Sequence, residues 1–179
     1  MGDTLTLRPA TAREANLLAA LGARTFCEAF AADNRPEDME AYLASAFTPS
    51  RLESELADPQ TRFFLAEIEG EAVGYAKLHF GKAPECVTGP DPMEVARFYV
   101  VHEWHGRGVA GSLMRACIDA AREAGARTLW LAVWEHNGRA QAFYRKWGFR
   151  DVGTQPFLLG GDLQTDRVME RSISPGSTA

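Results

Sequence analysis

Apolar positions along this chain recur in two rhythms, and the switches between them mark its elements. Residues 4–8 alternate and predict a first strand, closed by Pro9. Thr11 followed by Glu14 has the form of a capping box. The helix it opens carries Ala15, Leu17, Leu18, Leu21 and Ala23, and continues or restarts through Phe26, Ala29 and Phe30. Asp33-Asn34-Arg35-Pro36 breaks it. A second helix, with Pro36 near its first turn, sets Met39, Tyr42, Leu43 and Phe47 on one face. Thr48-Pro49 opens a short third helix through Leu52 and Leu56.

The period then becomes two. Residues 62–69 and 72–80 flank Gly70 as a hairpin, and residues 82–92 form a Pro/Gly loop. Residues 95–101 are β-branched and aromatic and predict a buried strand. After Gly106, Gly108 and Gly111 the helical rhythm returns. Val109, Leu113, Cys117, Ala120 and Ala124 form its inner stripe, and Gly125 ends it. Residues 128–134 read as an apolar strand. Asn137 caps a helix with the stripe Ala140, Phe143, Tyr144 and Trp147, closed by Gly148. Residues 149–159 and 165–171 make a last hairpin over Gly160-Gly161. This order predicts an α/β (α+β) protein with a mixed, mostly antiparallel sheet of six to seven strands flanked by about four helices. One domain is expected over residues 1–173. The Ser/Pro/Gly-rich tail begins at Ser172, with residues 174–179 expected to be disordered.

Composition narrows the class. The chain has 179 residues, 46% hydrophobic and 24% charged, ordinary proportions for a globular domain. No apolar run approaches the roughly 20 residues of a membrane helix, and no basic-then-apolar leader opens the chain. The three cysteines, Cys27, Cys86 and Cys117, have no metal or redox spacing and fit a reducing, cytoplasmic setting. Residues 1–60 hold ten acids against five bases, and the rest of the chain is balanced, so the whole net charge of −5 lies in the first third. That distribution opposes nucleic-acid binding and permits a cationic partner.

The chemistry centres on residues 93–114. A strand, a glycine-rich turn and a helix N-terminus together hold phosphate groups on backbone N–H donors. No Gly-Lys-Ser/Thr follows, so this is not a P-loop. The order of elements does not give the repeated βαβ of a dinucleotide fold. His102-Glu-Trp-His105 is one residue short of a zinc helix and sits in a turn, so no metal is expected.

His105-Gly-Arg-Gly-Val-Ala110 after a strand resembles the coenzyme-binding motif of the GCN5-related N-acetyltransferases (GNAT), Gln/Arg-x-x-Gly-x-Gly/Ala. Asn137-Gly-Arg-Ala-Gln-Ala-Phe143-Tyr144-Arg-Lys-Trp-Gly148-Phe149 resembles their second signature, in the same order and spacing. The resemblance covers nearly the whole chain and implies the GNAT fold with acetyl-coenzyme A as cosubstrate. It implies that the pyrophosphate rests on the N–H groups of Gly106, Arg107, Gly108, Val109, Ala110 and Gly111, with His105 and Asn137 beside it. The pantetheine arm would pair with Phe98, Tyr99 and Val100 as a pseudo-strand, in a slot left where the strand of residues 129–134 splays away. A backbone N–H near Tyr99 or Val100 would polarise the acetyl carbonyl. His105 departs from the family's Gln or Arg. A neutral imidazole can donate one hydrogen bond to phosphate, so binding would lean on backbone donors and Arg107.

Acetyl transfer to an amine needs a neutral nucleophile and a proton for the leaving thiolate. The resemblance gives Tyr144 the second task as general acid, although Tyr144 also fits the packing stripe of its helix. For the general base the candidates are Glu94, His79 and Glu135. A finer resemblance, carried by Thr25-Phe26 with Glu28 and Phe30, residues 41–47, Val133-Trp134-Glu135 with Asn137, and Gln164-Thr165-Asp166, is to the PaiA-type spermidine/spermine N-acetyltransferases. It implies a primary amine acceptor, a polyamine such as spermidine or spermine, steered by Glu28, Asp33 and Glu135, with Trp134 and Tyr42 offering cation–π contacts. A protein or antibiotic amine, or a coenzyme-binding module without turnover, are the alternatives. A homodimer is possible from the family.

Overall fold

A computed structural model describes residues 4–174. The expectation of disorder for residues 174–179 therefore lies, apart from Ser174, outside the described residues. The elements follow the predicted order: β1 (Leu5–Pro9), α1 (Ala15–Phe30), α2 (Pro36–Ala46), α3 (Pro49–Ala57), β2 (Thr61–Ile68), β3 (Glu71–His79), β4 (Pro92–Val100), α4 (Val109–Glu123), β5 (Thr128–Trp134), α5 (Gly138–Lys146), β6 (Arg150–Leu159) and β7 (Asp162–Ser172). Among the described residues no helix is long and apolar enough to cross a membrane.

The strands form one seven-stranded sheet in the order β1-β2-β3-β4-β5-β7-β6, antiparallel except where β4 meets β5. Five α-helices cover it, one more than the overall count of about four; all five were marked by the apolar rhythm, and the short third, Pro49–Ala57, has Thr48 capping the Arg51 N–H. Helix α1 is continuous. Its buried residues Leu18, Leu21, Gly22, Thr25 and Phe26 keep helical spacing, and Ala15 enters from a turn held by the Glu14 carboxylate on the Thr11 N–H at 2.6 Å.

Two layers of core lie on the two faces of the sheet. On one, α4 and α5 pack on Ala66, Leu78, Met93 and Leu129. On the other, α1 and α3 pack on Phe63, Leu65 and Tyr75. The inner stripe of α4 is wider than the five positions predicted for it. Met114, Ile118 and Ala121 are fully buried, while Ala120 and Ala124 are only partly so, because this helix lies flat across four strands. The tail also begins later than its composition implied. Ser172 is in β7, and Ile173 is buried with its N–H on the Arg127 carbonyl at 2.9 Å.

Two irregularities in the sheet position everything that follows. Between β3 and β4 the register steps from Lys77↔Arg97 to Leu78↔Val95, so Ala96 is an extra residue in β4. Such a bulge bends and twists the strand that carries it. Immediately before it, the pairing of β4 with β5 stops: it covers Pro92↔Thr128, Met93↔Leu129 and Glu94↔Trp130 and nothing beyond. Strand β5 meanwhile stays paired with β7 along its full length, from Thr128↔Ser172 to Trp134↔Asp166. The expected slot is therefore present, but the irregular strand bordering it is β4, not the strand of residues 129–134.

The second wall of the slot is tied down by the hairpin of β6 and β7. Asp38 of α2 is buried and its carboxylate accepts from the Gly161 N–H at 2.8 Å. Gly160 has a φ of 58°, and a Cβ there would lie 2.5 Å from the Asp38 Cα. Both constraints require glycine. Gly160→Ala is expected to cost about 1–3 kcal/mol in chemical denaturation by combining left-handed strain with a backbone clash. Wild-type stability in that variant would show that α2 is not held against the hairpin in solution.

Candidate active site

The glycine turn is built as its sequence implied. Gly106 and Gly108 have φ of 77° and 85°, where a Cβ would be strained but would touch nothing. Backbone conformation, not space, demands glycine at both. Gly108 is the N-cap of α4 in a left-handed conformation, and its carbonyl receives the Ser112 N–H at 3.1 Å. The N–H groups of Val109, Ala110 and Gly111 have no carbonyl one turn earlier, so they end in the open as a donor cluster at the positive end of the helix dipole. The Val109 side chain itself is core.

Two neighbours behave differently from expectation. The Arg107 guanidinium lies over the Trp104 ring at 5.0 Å and is not part of the cleft wall. The His105 ring does line the cleft, but its Nε2 meets the Val100 carbonyl at 2.7 Å. A carbonyl only accepts, so Nε2 is the donor, and the single N–H of a neutral imidazole is already used. His105 thus holds the end of β4, and in the neutral form has no donor left for a phosphate. Two bases that the sequence reading passed over, Arg139 and Lys146 of α5, line the cleft instead. Their signal lay inside the second signature itself, two and nine residues after Asn137.

The Val101 N–H donates to the Val73 carbonyl at 2.8 Å. Ladder alternation then turns the N–H groups of Arg97 and Tyr99 toward β3 and those of Phe98 and Val100 toward the open edge. The donor expected near Tyr99 or Val100 is accordingly Val100 or Phe98, not Tyr99. The Phe98 ring packs on Phe143 at 5.7 Å and edge-on to Tyr144 at 6.2 Å. The Tyr99 ring points to the other face, against Tyr75 and Phe30.

Helix α5 stands over the slot because its start is fixed twice. Asn137 accepts from the Ala140 N–H at 3.1 Å, and buried Gln141 donates to the carbonyls of Trp134 and Glu135 at 3.1 and 2.9 Å. Tyr144 is 8% exposed and lines the cleft. Burial pushes its phenol well above the usual range, so it keeps its proton at neutral pH. Glu94 also lines the cleft, and burial raises its carboxyl with Lys77 opposing. The other two base candidates are elsewhere. His79 turns to Thr61 at 3.1 Å and toward Asp58, and Glu135, just past the end of β5, is exposed beside His136 and off the wall.

The whole cleft has a volume of about 870 Å³ and runs from the glycine turn to the hairpin of β6 and β7. Its far end is aromatic. Tyr42 stacks on Phe26 at 4.6 Å and meets Phe157 edge-on at 5.4 Å, and Trp134 meets Phe30 edge-on at 6.1 Å. Of the acids expected there, Glu28 reaches the wall but is committed: Oε1 accepts from Arg24 at 2.9 Å and Oε2 from the His102 N–H at 2.9 Å. Asp33 is exposed in the turn after α1 and does not reach the wall.

An acid that reaches the wall there without a committed partner is Asp166. It is register partner to Trp134 on β5 and Gln155 on β6, so the three side chains stand side by side on one face of the sheet. It is 8% exposed, yet among the described residues it has neither a hydrogen bond nor an ion pair. The other buried acids are paired, Asp38 with Gly161 and Glu170 with Arg150. Burial, with Glu135 adding repulsion, raises the Asp166 carboxyl from 3.8 to about 6. The sequence signal was an acid in the period-two set of Gln164 and Val168, on a strand that had to be half-buried.

The sign of its effect on stability follows. The folded state holds this proton more tightly than the unfolded chain, so Asp166 weighs least against folding below about pH 4, and stability is lost as pH rises through about 6. Asp166→Asn is expected to raise stability at about pH 7 by about 1–3 kcal/mol, with the gain vanishing near pH 4, as read from urea unfolding at both values. A loss of stability at pH 7 would mean that the carboxylate has a partner in the folded protein.

The sequence model of the acetyltransferase (GNAT) family matches residues 24–149. An uncharacterized N-acetyltransferase of Lactobacillus delbrueckii subsp. lactis is 33% identical over 154 residues, 86% of this chain and 89% of its own length. An uncharacterized N-acetyltransferase of Mycobacterium tuberculosis is 35% identical over 161 residues, 89% of this chain and 98% of its own. Among solved structures, the PaiA N-acetyltransferase of Thermoplasma acidophilum in complex with coenzyme A superposes with a TM-score of 0.79 over 94% of this chain and 99% of that one. At 18% identity that likeness speaks for the fold alone. The family match covers most of the chain and includes both the glycine turn and the α5 signature, and the chain therefore belongs to the acetyltransferase (GNAT) family and is an N-acetyltransferase.

Proposed function

We propose that this enzyme moves an acetyl group from acetyl-coenzyme A to a primary amine, with a polyamine such as spermidine or spermine as the acceptor, by direct attack. The observation that carries the reading is the single cleft with opposite chemistry at its ends. Free N–H donors of the glycine turn stand at one end, an aromatic box with a carboxylate unpaired among the described residues stands at the other, and Arg139 and Lys146 line the wall. The donors suit a pyrophosphate. The open edge of β4 from Phe98 to Val100 suits an extended amide-bearing arm, which would bring the thioester beside Tyr144.

In this mechanism the amine reaches the carbonyl neutral. An alkyl ammonium with a pKa near 10.4 costs about 4–5 kcal/mol to deprotonate at pH 7, so a base is needed. Glu94, raised by burial, is the acceptor of that proton. It lies four residues before Phe98, about 13 Å along an extended strand, so the proton travels through water. The nitrogen lone pair forms the C–N bond. The carbonyl oxygen takes up negative charge against the Val100 or Phe98 N–H. The C–S bond then breaks, Tyr144 gives its proton to the departing sulfur, and the phenolate so formed takes the surplus proton from the acetylated nitrogen, which leaves a neutral amide, the free thiol and Tyr144 restored.

The deciding measurement is thiol release from acetyl-coenzyme A with a panel of amines. Release on adding spermidine supports the reading. Release with peptide amines but not with spermidine replaces the acceptor, and none with any amine despite coenzyme binding overturns turnover on amines altogether. Tyr144→Phe is expected to fold and bind coenzyme A normally while kcat falls by about 100-fold or more. Unchanged turnover would return Tyr144 to a packing role. Glu94→Gln is expected to lower kcat and to remove the acidic limb of the kcat/KM profile, which in the wild type falls as pH drops through the raised Glu94 pKa. A limb that persists in the variant assigns it to another group.

A further inference from the structure

We infer that Asp166 is the counter-ion for a second, non-reacting ammonium of the acceptor, so that the enzyme selects amines carrying two cationic nitrogens over otherwise equal monoamines. The inference rests on the proposed amine acetyltransfer and names the group that sets its specificity. Asp166 is more than nine-tenths buried, opens on the cleft, and has no donor or cation against it among the described residues. A carboxylate buried without a partner opposes folding, and its position here is filled by a charge that arrives with the ligand.

Its surroundings define that charge. Trp134 and Gln155 flank it across the sheet, and Tyr42, Phe30 and Phe157 close the space in front of it. Aromatic faces around a carboxylate favour a cation that stays charged. Another acid of the cleft wall, Glu28, is held by Arg24 and the His102 N–H, and the Arg97 guanidinium on the same wall is held by Glu55 at 2.8 Å. Neither is free to take the role or to neutralise Asp166. The reacting nitrogen is placed separately, at the open edge of β4 beside Tyr144. The two nitrogens of the acceptor thus meet different groups: one loses its proton on the way to the thioester, and the other keeps its proton against Asp166.

The test compares 1,4-diaminobutane and spermidine with n-butylamine, which has the same four-carbon chain and no second nitrogen, in wild type and Asp166→Asn. The kcat/KM preference for the diamine over butylamine is expected to fall by at least about tenfold in the variant, through KM rather than kcat. An unchanged preference, or a kcat that falls equally for both amines, overturns the inference, the latter because it would assign Asp166 to proton transfer. Coenzyme A binding by calorimetry reports that the variant is folded. A second arm is independent of turnover: spermidine titrated into the full chain with coenzyme A bound, with the heat or the tryptophan fluorescence as readout. Binding by wild type that weakens by at least about tenfold in Asp166→Asn supports the inference even if no amine is acetylated, in which case only the proposed reaction fails. No binding by wild type, or equal binding by both proteins, overturns it.

Discussion

The one extra residue in β4 is the constraint on which the site depends. Ala96 has no partner on β3, and at the same level the parallel pairing of β4 with β5 ends after Glu94↔Trp130. A continuous sheet would satisfy the N–H groups of Phe98 and Val100 internally and leave nothing for a ligand. Interrupted, the sheet offers an edge in its middle, where strand edges are otherwise covered. That edge is protected from other chains by being recessed between α5 and the aromatic residues of α1 and α2, and His105 closes its far end on the Val100 carbonyl.

The rest of the fold supports this break rather than repairing it. Strand β5 is kept straight by its seven register pairs with β7, so the opening does not collapse from that side. Gln141 fixes the start of α5 to the last carbonyls of β5 and so sets Tyr144 against Phe98. Asp38 clamps α2 on the hairpin of β6 and β7 and so encloses the aromatic end. The Gln141 and Asp38 ties are buried polar contacts at the rim of an otherwise apolar core, where a lost partner leaves an unsatisfied group.

Charge is sorted along the same cleft. The acidic excess of the first third, legible from composition, does not itself make the acceptor end. Asp33 faces solvent and Glu28 is occupied by Arg24 and the strand end. The acid that stands at the wall of that end without a committed partner, Asp166, comes from near the end of the chain, where acids and bases balance. Bulk charge describes the field around a protein, and only burial decides which single charge meets a ligand without water between.

The sequence by itself determined the element order, the largely antiparallel sheet, the glycine turn that opens α4 and the capped helix bearing Tyr144. These rest on local rules: period, caps, and positive φ at Gly106 and Gly108, which residues within a few positions enforce. It also carried the family, because both signatures are contiguous stretches. Only the tertiary structure decided that the irregular strand is β4, that Arg107 lies over Trp104 while Arg139 and Lys146 line the cleft, and that His79 and Glu135 are off it. Those outcomes depend on which register pairs form and on which way a side chain leaves its strand or turn, and both are settled between segments far apart in the chain. Asp166 illustrates the division. Its strand and its inward phase follow from alternation, but its lack of a partner among the described residues is a property of three strands and two helices together.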